Sequence, residues 1–175
     1  MQRNRPVRPT VKTQSKTALA LTAVIVSLSS IACGTPYTQE RTILFDESCG
    51  PSCVEAVRAA ANTWNLQAGT DITERPGYPE VRAYVSDDCG PGAVGSYSTE
   101  RFGPDRICLH SNAAASGRIV SAAIHEVGHS LGLGHAGGGG HVMSEVPRGE
   151  CLDGADIALF CSVFNCTERQ FACAR

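Results

Sequence analysis

Eleven residues, His125-Glu126-Val127-Gly128-His129-Ser130-Leu131-Gly132-Leu133-Gly134-His135, constrain this chain more than any other stretch. In an α-helix, which turns about 100° per residue, Val120, Ile124, Val127 and Leu131 fall in one narrow stripe. His125 and His129 stack on one face, roughly 160° from that stripe. The spacing predicts a helix over 116–131 that presses its apolar side into a core and turns two imidazoles towards a cleft. Gly132 stands where the chain has to bend if His135 is to return to the same point. Glycine accepts the positive φ that ends a helix sharply.

Two imidazoles one turn apart can each give a ring nitrogen to one metal ion, at about 2.0–2.1 Å for zinc. His135 then completes a three-histidine site for one zinc ion. Three protein ligands on a tetrahedral ion leave a position for water, the arrangement of catalytic zinc. Glu126 adjoins the first ligand and sits roughly 80° around the helix from the midpoint of the two histidines. A carboxylate there can reach the water without being a ligand and act as general base, then acid. These residue types at this spacing specify metal-assisted hydrolysis, with Glu126 catalytic and His125, His129 and His135 as ligands.

The same residues resemble the signature of the metzincin clan of zinc metallopeptidases, His-Glu-x-x-His-x-x-Gly-x-x-His followed by a Met-turn. Met143, eight residues beyond His135, looks like the Met-turn methionine, which in the family floors the metal site without ligating it. Within the clan the chain looks most like a bacterial matrixin, including Ser130 and Leu131. Glu145 occupies the place where astacins and serralysins usually carry a tyrosine, so no tyrosine ligand is expected. Ala155-Asp156-Ile157 resembles the start of the matrixin C-terminal helix, where the aspartate supports the Met-turn; simple helix capping by Asp156 is the other reading. Ala93-Val94-Gly95-Ser96-Tyr97 resembles the family's edge strand, which pairs with an extended substrate through main-chain hydrogen bonds. In the family the substrate side-chain pocket depends on the segment after the Met-turn, here 144–152. Ala136 stands where animal matrixins commonly have serine, and the glycine run 137–140 replaces a more ordinary loop, so that segment is expected to be mobile or unusually tight. No calcium-binding motif is found. His110 reads as a strand-end residue, and His141 is near enough to approach the cleft.

The resemblance implies an α+β, metzincin-like catalytic domain over 41–175. Its parts are a small mixed sheet, an active-site helix and a C-terminal helix; the cysteines, more than the family usually carries, are expected to staple it with disulfides. Strand candidates are 42–46, 81–85, 93–97 and 106–109. Val54, Val57, Ala61 and Trp64 predict a first helix, with a capping box in Ser52-Cys53-Val54-Glu55 and a stop at Gly69. A third helix is expected near Asp153, capped by Asp153 and Asp156.

Composition bounds the partners. The chain of 175 residues carries 15 Lys+Arg and 17 Asp+Glu. Five of the basic groups (Arg3, Arg5, Arg8, Lys12, Lys16) lie within 1–32, leaving 10 basic and 17 acidic groups, a net of −7, in 33–175. A nucleic-acid partner, which needs a basic surface, is therefore not expected. Residues 1–32 combine a basic segment, an apolar run and small residues, the pattern of an export signal. The apolar run is short for a bilayer span of about 20 residues. Residues 33–40 read as a lead-in. Cys33 closes Ser-Ile-Ala-Cys-Gly, which resembles a bacterial lipoprotein box, although Ser30 replaces the usual leucine. Lipidation of Cys33 would be the chain's one membrane attachment; ordinary signal cleavage, and a latency switch echoing the Cys-Gly-x-Pro of matrixins, are the other readings. With nine cysteines in all, the remaining eight suit four disulfides in an oxidising compartment, in 105 formally possible pairings. The expected protein is thus an extracytoplasmic, monomeric zinc endopeptidase acting on protein or peptide substrates. A non-catalytic zinc-stabilised surface lipoprotein and a zinc hydrolase of cell-wall amides are the alternatives.

Overall fold

The computed structural model describes residues 39–166 except Tyr78. The chain divides into two units, Met1–Ser30 and Ile31–Arg175, and all described residues belong to the second. The expected export signal, Cys33 and Cys173 lie outside the described residues.

The elements are β1 (Glu40–Phe45), α1 (Pro51–Ala68), β2 (Asp71–Glu74), β3 (Val81–Ser86), β4 (Gly95–Ser98), β5 (Asp105–His110), α2 (Asn112–Ala115), α3 (Ile119–Ser130) and α4 (Gly154–Phe164). The strands form one mixed sheet in the order β2-β1-β3-β5-β4. The β2, β1, β3 and β5 ladders are parallel, and β4 runs antiparallel to β5 with Gly95 opposite Leu109. The fold is α+β, as expected.

Helix α1 buries Cys53, Ala56, Val57, Ala60, Trp64 and Ala68, a stripe at helical spacing. Trp64 is fully buried and packs its ring 6.0 Å from that of Phe160 in α4. Burying a large apolar side chain contributes roughly 1.5–3 kcal/mol. Gly69 stops the helix in the left-handed conformation, φ +71°. The expected capping box at Ser52 does not form. Gly50 is the N-cap, Pro51 opens the helix, and no side chain caps it. Proline at the first position has no N–H to satisfy and its φ already suits a helix, while the Cys49–Cys53 disulfide ties the entry to the first turn.

Strand β2 carries no alternating apolar pattern that would mark it in the sequence. Its four residues present one buried side chain, Ile72. Asn65 in α1 recruits it, donating from Nδ2 to the Ile72 carbonyl at 3.0 Å and accepting the Ile72 N–H at 2.8 Å. Helix α3 starts at Ile119, three residues later than expected, because Gly117 takes φ +67° and separates it from α2. In α4 the capping box forms as expected: the Asp153 side chain accepts from the Ala155 and Asp156 amides, and Asp156 accepts from the Asp153 amide.

All seven described cysteines are disulfide-bonded. The pairs are Cys49–Cys53, Cys89–Cys108 and Cys161–Cys166, and Cys151 is likewise disulfide-bonded. No described helix is long and apolar enough to cross a membrane.

Candidate metal centre

The end of α3 builds the site. Past Ser130, the Gly132 amide donates to the His129 carbonyl at 2.8 Å and the Leu133 amide to the Gly128 carbonyl at 3.2 Å, with Gly132 at φ +88°. This pair of bonds around a left-handed glycine is the Schellman turn. It sends the chain back along the helix and buries Leu133. It also brings the Leu133 carbonyl within 2.8 Å of His129 Nδ1. The bend expected at Gly132 thus fixes a ring orientation as well as a chain direction.

His125 Nδ1 lies 2.7 Å from the Val142 carbonyl. A carbonyl only accepts, so Nδ1 of both rings carries the proton and each Nε2 keeps its lone pair. Those Nε2 atoms converge: His129 Nε2 is 2.9 Å from His125 Nε2 and 3.2 Å from His135 Nε2. All three ligand atoms lie within 4.8 Å of one another. Two nitrogens on a tetrahedral zinc are about 3.3 Å apart. The two inward lone pairs of His125 and His129, with the His135 Nε2 beside them, suit a cation between the rings, so the residues present fit a zinc ion. Desolvation holds His125 down at about 4, against the raising effect of its carbonyl bond, and also lowers His129. Both rings are therefore neutral near pH 7, the form that ligates metal.

The floor beneath the rings is close-packed. Met143 is fully buried, and a Cβ at Gly128 would collide with its sulfur and lie 2.8 Å from Trp64 Cζ2. Trp64 cannot retreat freely, since its indole N–H donates to the Ile124 carbonyl at 2.9 Å. The fully buried Asp156 holds the Met143 segment. It accepts the Met143 amide at 2.8 Å, the Val142 amide at 3.2 Å and the Asp153 amide at 3.0 Å. The two readings of Asp156 are one arrangement: its carboxylate both caps α4 and supports the turn at Met143.

Helix α3 buries the expected stripe of Ile124, Val127 and Leu131 and turns His125 and His129 to the cleft, but its burial extends well beyond that stripe. Residues Ser121–Gly128 are all buried, His125 and Glu126 included. The helix is central, with α1 on one side, β4 and β5 on another and the Met143 segment below. Burial pushes Glu126 up to about 8. Its carboxylate leans on β4: a Cβ at Gly95 would sit 3.0 Å from Glu126 Oε1 and 3.1 Å from the Cys108 carbonyl. Glycine at 95 therefore leaves room for Glu126, a role with no signal in the sequence alone.

A cleft of about 530 Å³ opens over the site, lined by Gly92 to Tyr97, Arg118, Ala122, His125, Glu126, His129, His135 and Glu145 to Pro147. The candidate substrate strand Ala93, Val94, Gly95, Ser96 and Tyr97 thus forms one wall. The β4 ladder covers only Gly95–Ser98, but the Val94 carbonyl accepts from the His110 amide, extending the contact. Tyr97 donates its hydroxyl to Asp105 at 2.5 Å and stacks 6.5 Å from the His129 ring. Desolvation, then the bond to Asp105, raises the tyrosine pKa. Arg118 passed unremarked in the sequence, although it shares a helical face with Ala122, Glu126 and His129.

His110 ends β5, as expected, and its Nδ1 accepts the Asn112 amide. His141 is not among the three clustered histidines; its Nδ1 bonds Asp153 at 2.5 Å. In the glycine run, Gly138 and Gly140 take φ +90° and +95°, and the Ala136 amide clamps the start of the loop to the Met143 carbonyl at 2.7 Å. That loop and Arg148 line a second cavity beside His135.

No protein-family model matches the chain, and no curated protein does. Among solved structures the chain is similar to one described as the structure of myroilysin, with 18% identity and a TM-score of 0.43. The match covers 59% of this chain and 52% of that one, so the chain spans about half the length of its neighbour.

Proposed function

We propose that this chain is an exported zinc-dependent endopeptidase of metzincin type, most like a bacterial matrixin. One observation carries the reading. Three imidazole Nε2 atoms converge beside a buried glutamate, in a cleft walled by the edge strand β4. Zinc bound there would supply a Lewis acid that polarises a carbonyl and acidifies water. His125, His129 and His135 would hold it, the first ring aimed by the Val142 carbonyl and the second by the Leu133 carbonyl. The outer edge of β4, which pairs with no strand among the described residues, would receive an extended peptide by main-chain hydrogen bonding and set its carbonyl over the site. Glu126 takes the proton of the attacking water as oxygen joins the carbonyl carbon. It then returns that proton to the departing amide nitrogen as the C–N bond breaks. The paired cysteines support an oxidising compartment. Lipidation of Cys33 would hold the domain at a membrane surface.

The test is Glu126→Gln. The parent should bind one zinc per chain and cleave casein-like protein or peptides. The variant should keep its zinc and lose cleavage by at least about 100-fold, the scale of general-base catalysis. Equal rates in parent and variant would remove Glu126 from the mechanism. Zinc binding without turnover of any peptide would favour a binding module, and turnover confined to cell-wall fragments would favour an amide hydrolase of that class.

A further inference from the structure

Three side chains with formal charge line the cleft: Glu126, Glu145 and Arg118. Arg118 is half-buried at the N-cap of α3. Its backbone is bonded within the turn, but no carboxylate or other acceptor among the described residues pairs with its guanidinium. The strand arginines are differently placed: Arg41, Arg82 and Arg106 each have an acidic partner. A cleft-lining guanidinium with no bonded carboxylate is free to take an anion brought in by a ligand, and its fork matches a carboxylate in particular.

The fold says where along a bound peptide that anion falls. Arg118, Ala122, Glu126 and His129 lie on one face of the helix. Arg118 precedes His125 by seven residues, about 10 Å along the axis. An extended peptide advances about 3.3 Å per residue, so the backbone of Arg118 stands about three residues along from the first histidine, and its side chain serves positions up to that distance from the reacting bond. Strand β4 runs in the same sense as α3, since Gly95 abuts Glu126 and Tyr97 stacks on His129. Antiparallel addition is the more stable way to extend an edge. It places the C-terminal half of the peptide at the 92–94 end, where Arg118 lies.

We infer that Arg118 is a specificity residue that binds a substrate carboxylate within about three residues on the C-terminal side of the scissile bond. The carboxylate comes from an acidic side chain or from the peptide's own C-terminus. The inference deepens the peptidase reading and rests on it for the word scissile, but the recognition itself can be measured without turnover.

The experiment uses the full-length zinc-loaded chain and one peptide sequence. Glu, Gln or Lys is placed in turn at each of the three positions after the cleavage site, with the C-terminus amidated. A further peptide ends there as the free acid. Binding is read by fluorescence anisotropy on Glu126→Gln, and cleavage on the parent. At one position Glu should bind about tenfold tighter than Lys, a modest ratio for a partly screened ion pair. Arg118→Gln should bring the ratio close to one, and Arg118→Glu should reverse it. Preference for the free-acid peptide alone would identify the chain terminus as the carboxylate source. Equal binding of all the peptides, or a ratio unmoved by Arg118→Gln, would overturn the inference. Because Arg118→Gln is mild, a misfolded Arg118→Glu does not spoil the comparison. Charge-selective binding without cleavage would sink the peptidase reading and leave Arg118 standing; cleavage without charge preference would do the reverse.

Discussion

Gly128 and Met143 are packed so tightly that a methyl group on residue 128 would overlap the methionine sulfur and come within 3.0 Å of its terminal carbon. The residue between two metal-ligating candidates is therefore tied to the floor beneath them. Gly128→Ala gains about 1 kcal/mol of helix propensity. Overpacking costs typically about 1–3 kcal/mol. Met143 can rotate, but Trp64 is pinned by its bond to Ile124, so the clash should win. A lower urea midpoint together with weaker zinc binding is expected. A variant more stable than the parent would show that the floor can yield.

Asp156→Ala strands the Val142 and Met143 amides in the interior and removes half of the α4 capping box. Each buried unsatisfied donor costs about 1–3 kcal/mol, and a lost cap about 1 kcal/mol. A total loss of at least about 3 kcal/mol in chemical denaturation is expected. Zinc should also dissociate faster, because the Val142 carbonyl orients His125. A loss below about 1 kcal/mol would mean that water replaces the carboxylate.

Gly132→Ala places a side chain at φ +88°. The left-handed conformation costs roughly 1–2 kcal/mol for other residues. The Schellman turn also sets the Leu133 carbonyl that holds His129, so the strain should reach the site. Zinc titration should show reduced affinity beyond what the stability change explains. Unchanged affinity would confine the role of Gly132 to ending the helix.

The His141–Asp153 pair links the segment before Met143 to the cap of α4. The hydrogen bond to Asp153 raises the His141 pKa above its ordinary 6.5, against desolvation. Its stabilisation is full below about pH 6.5 and is lost as pH rises through the raised folded value. Desolvation opposes ionisation of Asp153, but its bonds from His141 and the Asp156 and Ala155 amides leave it below 3.8. That contribution is present above pH 3.8 and is lost as pH falls through the lowered folded value. The melting temperature of the parent should therefore exceed that of His141→Gln most clearly between about pH 4 and 6.5, with the gap closing by about pH 9. A gap that widens towards alkaline pH would contradict the pair.

Much of the site is legible in the order of the residues. The four-residue spacing of His125 and His129, the glycine at 132 and the return to His135 are short-range features, and the histidines do lie together. The α4 capping box is equally local, set within four residues of Asp153. Strand β2 escapes such reading because it has one inward apolar residue and is recruited by Asn65. The Ser52 capping box misleads because Pro51 and a disulfide start the helix two residues earlier.

Helical period, glycine conformation and capping chemistry act within a turn or two, so the amino-acid order alone settles where α3 carries its imidazoles and where the chain turns back. Contacts between segments far apart in the chain depend on how sheet and helices pack. Packing alone puts Trp64 and Met143 against Gly128, Gly95 against Glu126, and Asp156 beneath the Met143 turn. It also leaves the Arg118 guanidinium with no carboxylate bonded to it among the described residues, although Glu126 and Glu145 line the same cleft.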